Sequence, residues 1–99
     1  MAINTELEID EKIEVKYPKK YKVFLLNDDY TSMEFVIDIL MSIFHKNYEQ
    51  AQNIMLDVHK NNRGLCGVYS YEIAETKVSQ VIQKAKDNDF PLKATMEEE

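Results

Sequence analysis

Apolar and polar positions follow two different periods along the chain, and the change of period predicts its elements. Tyr21–Leu26 is a short run of aromatic and aliphatic residues, which is typical of a buried β-strand. From Met33 onwards, apolar residues recur every three or four positions, which is the spacing of an α-helix. This stripe is broad, so we expect the first helix to be buried over much of its circumference. Its members are Met33, Val36, Ile37, Leu40, Met41 and Phe44, widened by Phe35, Ile39 and Ile43.

Two more helices and two more strands follow. A second helix ends near the turn at residues 61–64, a strand covers residues 65–69, a third helix stops before Pro91, and a short strand covers residues 92–96. The order β-α-α-β-α-β predicts an α+β fold, with three helices packed on a small, largely antiparallel three-stranded sheet. The apolar faces of the two later helices carry Ala51, Ile54, Met55 and Val58, and then Ala74, Val78, Val81, Ile82 and Ala85.

Polar residues at the expected helix starts predict N-caps. Thr31 and Glu34 have the spacing of a capping box, with Thr31 as the N-cap of the first helix. Asn47 and Gln50 have the same spacing before the second helix. Ser70 is the predicted cap of the third.

The two ends of the chain differ from the body. Residues 1–20 mix acidic and basic side chains with few apolar ones, so we expect a flexible extension that cannot offset its ordering entropy. Residues 21–96 form the predicted single domain, and residues 97–99 are expected to be an acidic tail.

Composition excludes several function classes. A net charge of −6 disfavours broad binding to nucleic acid or to an anionic membrane. The single cysteine, Cys66, cannot form an internal disulfide, which fits a reducing compartment. No apolar run approaches the ~20 residues of a membrane span. We therefore expect a soluble cytoplasmic domain.

Asn27, Asp28 and Asp29 lie together where the first strand meets the first helix. Carboxylates and an amide on a short loop suit a small cation. A primary ammonium offers three donors and needs three acceptors, at least one of them charged for a charge-assisted bond. His59 is the natural third acceptor, because it lies four residues after Met55 on the same face of the second helix. A neutral imidazole can accept from an ammonium, whereas a protonated one repels it.

Structural explanations exist for each of these residues. Asn and Asp are common in turns, and an isolated histidine is often partly buried and bonded to backbone. Methionine and valine at helical spacing are usually core residues, although they can also form an adaptable apolar pocket. Thr31 is either a cap alone or a residue at the mouth of such a pocket.

Catalysis and metal binding are disfavoured. The possible metal ligands Asp28, Asp29, His45 and His59 lack tight metal-ligand spacing. Cys66 falls in an apolar strand without a nearby basic residue, so we expect an inert thiol. Two glycines are too few for a phosphate-binding loop. We expect no enzymatic activity, no metal and no cofactor.

Four segments carry a specific resemblance to a known family: residues 21–38, 55–59, 64–69 and 72–78. In this order they resemble the ClpS adaptors, which deliver N-degron (N-end rule) substrates to a Clp AAA+ unfoldase and protease. The resemblance covers most of residues 21–96 and implies the same α+β fold. It also implies a non-enzymatic adaptor that binds the N-terminal residue of substrate proteins.

The resemblance also implies residue roles. Asn27, Asp28 and His59 would bind the α-amino group of the substrate, with Asp29 supporting the acidic loop. Family members favour Phe, Tyr, Trp and Leu as the first residue, and Met33 stands where a methionine disfavours β-branched ones. The residues expected to form the side-chain pocket are Thr31, Met33, Val36, Met55, Val58 and Leu92.

The implied partner is the N-terminal domain of a ClpA- or ClpC-like unfoldase. The surface of this chain that would contact the unfoldase lies at the start of the third helix. The first twenty residues resemble an extension that helps to transfer the substrate to the unfoldase. Two other hypotheses stay open: an unfoldase docking module that recognises no N-terminal residue, and a metal-dependent enzyme using Asp28, Asp29 and His59. The residues implied for the unfoldase surface are Glu72, Glu75, Thr76 and Lys77.

Overall fold

Three helices and a three-stranded antiparallel sheet make up the computed structural model, which describes residues 17–99. The central strand β1 pairs with β2 on one side and with β3 on the other. This architecture confirms the predicted α+β fold and its order of elements. The elements are β1 Tyr21–Leu26, α1 Met33–Ser42, α2 Tyr48–Asn61, β2 Arg63–Tyr69, α3 Tyr71–Asp87 and β3 Lys93–Glu98.

The core lies between the sheet and the helices. Val23 and Leu25 alternate along β1 and are fully buried there, as the period of two requires. Ile39 and Leu40 of α1 and Val81 of α3 are fully buried in the same cluster. Every helix therefore contributes an apolar stripe to one continuous core, which holds the sheet and helices in fixed positions.

Phe24 is buried as well, but outside this core cluster. The guanidinium carbon of Arg63 lies 3.9 Å from the centroid of its ring, a cation–π contact between neighbouring strands. Arg63 also forms an ion pair of 2.8 Å with Glu97 of β3. The three strands are thus connected by side chains as well as by their backbone ladder.

The start of α1 differs from the prediction. Ser32, rather than Thr31, is the N-cap, and its hydroxyl oxygen accepts a hydrogen bond of 3.1 Å from the Phe35 N–H. The prediction was wrong by one residue because the Thr31 hydroxyl is used elsewhere, donating to Asp28. The capping box of Asn47 and Gln50 is confirmed, with bonds of 2.8 and 3.0 Å. Ser70 is the N-cap residue of α3 but makes no side-chain capping bond.

The observed bounds of two strands also differ from the prediction. β2 begins at Arg63, two residues earlier than predicted, and β3 runs to Glu98, two residues past its predicted end. Glu97 and Glu98, predicted to belong to the tail, are strand residues because β3 pairs along the whole of β1. Most of the predicted flexible extension, residues 1–16, lies outside the described residues.

The apolar stripe of α1 is buried only in part. Val36, Ile39 and Leu40 are buried, whereas Met33 is 52% exposed and Met41 is 41% exposed. Among residues 17–99, no helix has both the length and the apolar character needed to cross a membrane.

Candidate functional site

The loop between β1 and α1 is organised around the Asp28 carboxylate. Its Oδ1 accepts hydrogen bonds from the N–H groups of Tyr30 at 2.8 Å and Thr31 at 2.7 Å. Its Oδ2 accepts a bond of 2.7 Å from the Thr31 hydroxyl. Three short, charge-assisted bonds to one carboxylate stabilise this conformation of the loop without a ligand.

These bonds also keep Asp28 charged. Partial burial raises the pKa of Asp28, but the hydrogen bonds from Thr31 and Tyr30 outweigh it, so the pKa lies below its ordinary value of 3.8. A carboxylate has about four lone-pair positions. Two bonds to Oδ1 and one to Oδ2 leave room on Oδ2 for one further donor. Asp28 can therefore hold the loop and still accept from a ligand.

The end of α2 approaches this loop through a backbone contact. Asn62 follows the helix with a φ of 72°, a left-handed conformation that turns the chain sharply into β2. The Asn62 carbonyl then accepts a hydrogen bond of 2.9 Å from the Asn27 N–H. This contact joins the end of β1 to the end of α2. As a result, His59 in the last turn of α2 lies beside the acidic loop.

A cavity of about 270 Å³ opens between the loop, α1 and α2. Its volume is slightly below the ~300–1,000 Å³ of typical ligand sites, so it suits one amino-acid residue better than a larger molecule. Three of its apolar side chains, Val36, Met55 and Val58, are buried, whereas Met33 is half exposed. The residues that line it are Asn27, Asp28, Asp29, Thr31, Met33, Val36, Met55, Val58 and His59.

The structure thus brings together every residue predicted for the amine site and for the pocket, with one exception. Leu92 does not line this cavity. It precedes β3 and is 3% exposed, packed in the main core. A turn at residues 61–64 was predicted, but Asn62 was not predicted to belong to the site; its left-handed turn and its carbonyl join the two sides of the cavity. An asparagine directly after a predicted helix is the local signal for such a turn.

The residues predicted for the unfoldase surface lie on α3, away from the cavity. Glu72, Glu75 and Thr76 are exposed. Lys77 is half buried, and its Nζ donates a hydrogen bond of 2.6 Å to the Ile43 carbonyl at the end of α1. Lys77 therefore joins two helices in addition to presenting its charge on this surface.

The single cysteine, Cys66, is buried in β2. Burial raises the pKa of the Cys66 thiol to about 12, against the opposing effects of a backbone hydrogen bond from Leu25 and the charge of Lys46. The thiol is therefore protonated at neutral pH and a poor nucleophile. Within residues 17–99, no three His, Cys, Asp or Glu side chains converge as a metal ion would need. The cavity combines hydrogen-bond acceptors with apolar walls, which suits a ligand that has both a cationic and an apolar part.

A small α+β domain with a preformed cavity of this kind belongs to the class of ligand-binding domains. Comparison with known proteins identifies the particular family. The family model described as "ATP-dependent Clp protease adaptor protein ClpS" matches residues 16–95. The chain belongs to the ClpS family, and it is accordingly an adaptor of the ATP-dependent Clp protease and not an enzyme.

Individual relatives agree with this assignment. The chain is 55% identical over 93 residues to the ATP-dependent Clp protease adapter protein ClpS of Wolinella succinogenes, covering 94% of this chain and 91% of the relative. It is 48% identical to the ClpS of Acetivibrio thermocellus over 99 residues, all of both chains. Among solved structures it resembles ClpS2 of Agrobacterium tumefaciens bound to L-phenylalaninamide, with a TM-score of 0.81 and 38% identity, covering 84% of this chain and 100% of the other.

Proposed function

We propose that this adaptor binds the N-terminal residue of substrate proteins and delivers them to a Clp AAA+ unfoldase and protease for degradation. The preferred first residues are large and apolar: Phe, Tyr, Trp and Leu. The observation that carries the proposal is the cavity itself, which joins a charged, preformed acceptor loop to an apolar pocket of the size of one side chain.

The amine end of the ligand is recognised by acceptors. An α-ammonium group donates three hydrogen bonds. The remaining lone pair of Asp28 accepts one of them in a charge-assisted bond, and the side-chain amide oxygen of Asn27 and a ring nitrogen of His59 accept the other two. Asp29 adds negative potential to the same loop. An internal residue of a protein has no ammonium group, so this arrangement selects chain ends.

The side chain of the first residue is recognised by burial. Val36, Met55 and Val58 form apolar walls, and removing a Phe or Leu side chain from water contributes about 1.5–3 kcal/mol. Met33 and Thr31 complete the lining, and the flexible thioether of Met33 adapts to different aromatic shapes. Met33 also disfavours first residues that branch at Cβ, because such a branch adds bulk close to the ligand backbone, where the Met33 side chain would meet it.

The ligand of the Agrobacterium relative supports this assignment. L-phenylalaninamide has an α-amine, a benzyl side chain and an amide where the next peptide bond of a protein would be. It is thus a minimal copy of an N-terminal phenylalanine. The same class of ligand matches both halves of the cavity in this chain.

Delivery requires a second surface. We assign it to the start of α3, where Glu72, Glu75, Thr76 and Lys77 would contact the N-terminal domain of a ClpA- or ClpC-like unfoldase. These residues are on a different element from the cavity, so substrate and unfoldase can bind together.

The test is an affinity series measured by isothermal titration calorimetry. Peptides that differ only in the first residue, Phe, Leu, Ile or Ala, are titrated with either a free or an acetylated amine. We expect micromolar or tighter affinity for free Phe and Leu peptides. Acetylation should abolish binding, because the buried acceptors lose their donors. Equal affinity for free and acetylated peptides would refute the proposal, and absence of binding to all of them would favour a docking module without N-terminal recognition.

A further inference from the structure

Gly64 lies in β2 where the strand passes against α2, and a larger residue has no space there. A β-carbon at this position would lie 2.8 Å from Cγ2 of Val58 and 2.9 Å from the carbonyl oxygen of Ile54. Favourable contacts between such atoms begin at about 3.5 Å. The φ of Gly64 is not positive, so the glycine is required for space rather than for backbone freedom.

The strand cannot move away to relieve such a contact. Gly64 is paired with Leu25 of the central strand, and Leu25 is fully buried. The Ile54 carbonyl is helix backbone, so a change of rotamer cannot relieve it either. The turn of α2 at residues 54–58 would have to move instead, and this turn carries two of the apolar cavity walls, Met55 and Val58.

We propose that Gly64 is a specificity-determining position of the adaptor, although it does not itself line the cavity. Its missing side chain lets Val58 and α2 pack close to β2, and this packing sets the depth of the pocket. Val58 touches Gly64 on one side and the cavity on the other, so Gly64 acts through Val58 as a positioning residue. The inference rests on the proposed recognition of the first residue and names what limits its size.

Adding a methyl group at position 64 should make the cavity smaller. In Gly64→Ala, the new β-carbon displaces Val58 away from β2 and into the cavity. A smaller cavity excludes large side chains before small ones. Binding of Trp-first peptides should therefore weaken more than binding of Leu-first peptides.

The experiment compares wild type and Gly64→Ala with three peptides that start with Trp, Phe or Leu. We expect the ratio of Trp to Leu affinity to fall about fivefold or more, since overpacking a close-packed site is costly. A ratio that is unchanged, or a loss of equal factor for all three peptides, would overturn the proposal.

A matched control is available in the same strand. In Gly67→Ala, the added β-carbon would collide with the ring of Tyr69 rather than with a cavity wall. This variant should lose stability without a change in the Trp to Leu ratio. A ratio that falls equally in both variants would mean that general loosening of β2, and not the position of Val58, is responsible.

A double variant tests the route through Val58. Val58→Ala removes the contacted methyl group and enlarges the cavity, so it should raise the Trp to Leu ratio. Because that methyl group transmits the effect, adding Gly64→Ala to Val58→Ala should leave the ratio nearly unchanged, a non-additive effect. If Gly64→Ala alone folds poorly, the double variant should fold better and rank the peptides as Val58→Ala does. A ratio in the double variant about fivefold or more below that of Val58→Ala would reject the proposal. If wild type binds none of the peptides, the proposed function fails as well; if wild type ranks them and Gly64→Ala ranks them identically, only this inference fails.

Discussion

In the proposed site, Asp28 both supports the β1–α1 loop and accepts a hydrogen bond from the ligand. Its carboxylate holds the β1–α1 loop through Tyr30 and Thr31, and the same group keeps one lone pair for a ligand. Because the loop is already ordered, a ligand does not have to supply the entropy cost of ordering it. The proposed role of Asp28 in binding therefore combines its charge with its support of the loop, and a substitution should be chosen to separate the two.

Asp28→Asn separates the charge of Asp28 from its support of the loop. The amide oxygen can still accept from the Tyr30 and Thr31 N–H groups, but the negative charge is lost. We expect affinity for a Phe-first peptide to fall at least about tenfold, the value of a charge-assisted bond of 1.5–3 kcal/mol. Calorimetry measures the affinity and circular dichroism checks the fold. Asp29→Asn, which removes a charge from the same loop without these bonds, should cost less; an equal loss would mean that net charge alone matters.

Asp28 should also make stability depend on pH. Its folded pKa is lower than its ordinary value of 3.8, so the stabilisation is fully present above that value and is lost as pH falls through the lower folded pKa. We expect the stability difference between wild type and Asp28→Asn to shrink as pH is lowered from 5 towards 2. Urea unfolding at several pH values measures it. A difference independent of pH would show that the carboxylate is not stabilised by the loop.

His59 should contribute to peptide binding as a hydrogen-bond acceptor for the ligand ammonium. His59→Ala removes this acceptor from the cavity lining, so affinity for a peptide that starts with Phe should fall about fivefold, the value of a hydrogen bond of about 1 kcal/mol. Calorimetry measures the affinity. The second histidine provides the control, because His45 lies outside the cavity. His45→Ala should bind the peptide as wild type does; unchanged affinity in His59→Ala would mean that His59 is not one of the acceptors.

Contacts between the ends of elements hold the helices and strands in register. The Asn62 carbonyl joins the end of α2 to the end of β1. Lys77 of α3 donates to the Ile43 carbonyl beyond α1, a helix whose own last turn has no basic residue. Both contacts satisfy backbone groups that a helix end leaves open, and both use residues far apart in the chain. The cavity depends on the bond between Asn27 and Asn62, because the β1–α1 loop and α2, which form two of its sides, meet at this bond.

Replacing Asn62 tests this dependence. Its left-handed φ of 72° is unfavourable for β-branched side chains, so Asn62→Val should lower the free energy of unfolding by about 1–2 kcal/mol. It should also weaken peptide binding, because the β1–α1 loop and His59 would no longer be held in the same relative position. Asn62→Gly should keep both properties. Asn61→Val at the preceding helical position is the control, and an equal effect of Asn61→Val on binding would argue against a special role of the turn.

At the scale of the whole molecule, the cavity and the predicted unfoldase surface are on separate elements that pack on one core. The cavity lies between the β1–α1 loop and α2, whereas Glu72, Glu75 and Thr76 are on α3. The buried cluster between them includes residues of all three helices. This separation is what the proposed simultaneous binding of a substrate and an unfoldase requires.

Because the two surfaces are separate, we expect that peptide binding and unfoldase binding can each be lost without the other. Glu75→Lys reverses an exposed charge on α3 and should weaken binding to the N-terminal domain of a ClpA- or ClpC-like unfoldase by about fivefold or more. Its affinity for a Phe-first peptide should not change. Asp28→Asn should behave in the opposite way. Glu49→Lys reverses an exposed charge in the first turn of α2 and controls for net charge. Loss of both activities in Glu75→Lys would contradict the separate surfaces.

Local patterns in the sequence were sufficient to predict most elements. The bounds of β1, the capping box of Asn47 and Gln50, and the end of α3 before Pro91 agree with the structure. Each of these depends on residues close in sequence, through side-chain period or a short-range hydrogen bond, and Pro91 excludes a helix that continues through it. The grouping of Asn27, Asp28 and Asp29 was visible for the same reason.

The remaining features depend on contacts between distant residues. Thr31 was predicted to be a cap, but its hydroxyl donates to Asp28 instead. Leu92 was predicted to line the pocket, but it packs in the main core just before β3. Glu97 became a strand residue through its pairing with β1, which a tail-like composition does not reveal.

The sequence by itself determined the elements, their order and the acidic loop, because these follow from neighbours along the chain. The tertiary structure alone decided which side chains share the cavity and how deep it is. The Asn27 N–H bond to Asn62 and the tight approach of Gly64 to α2 are set by packing between elements, and packing has no periodic signature in the sequence.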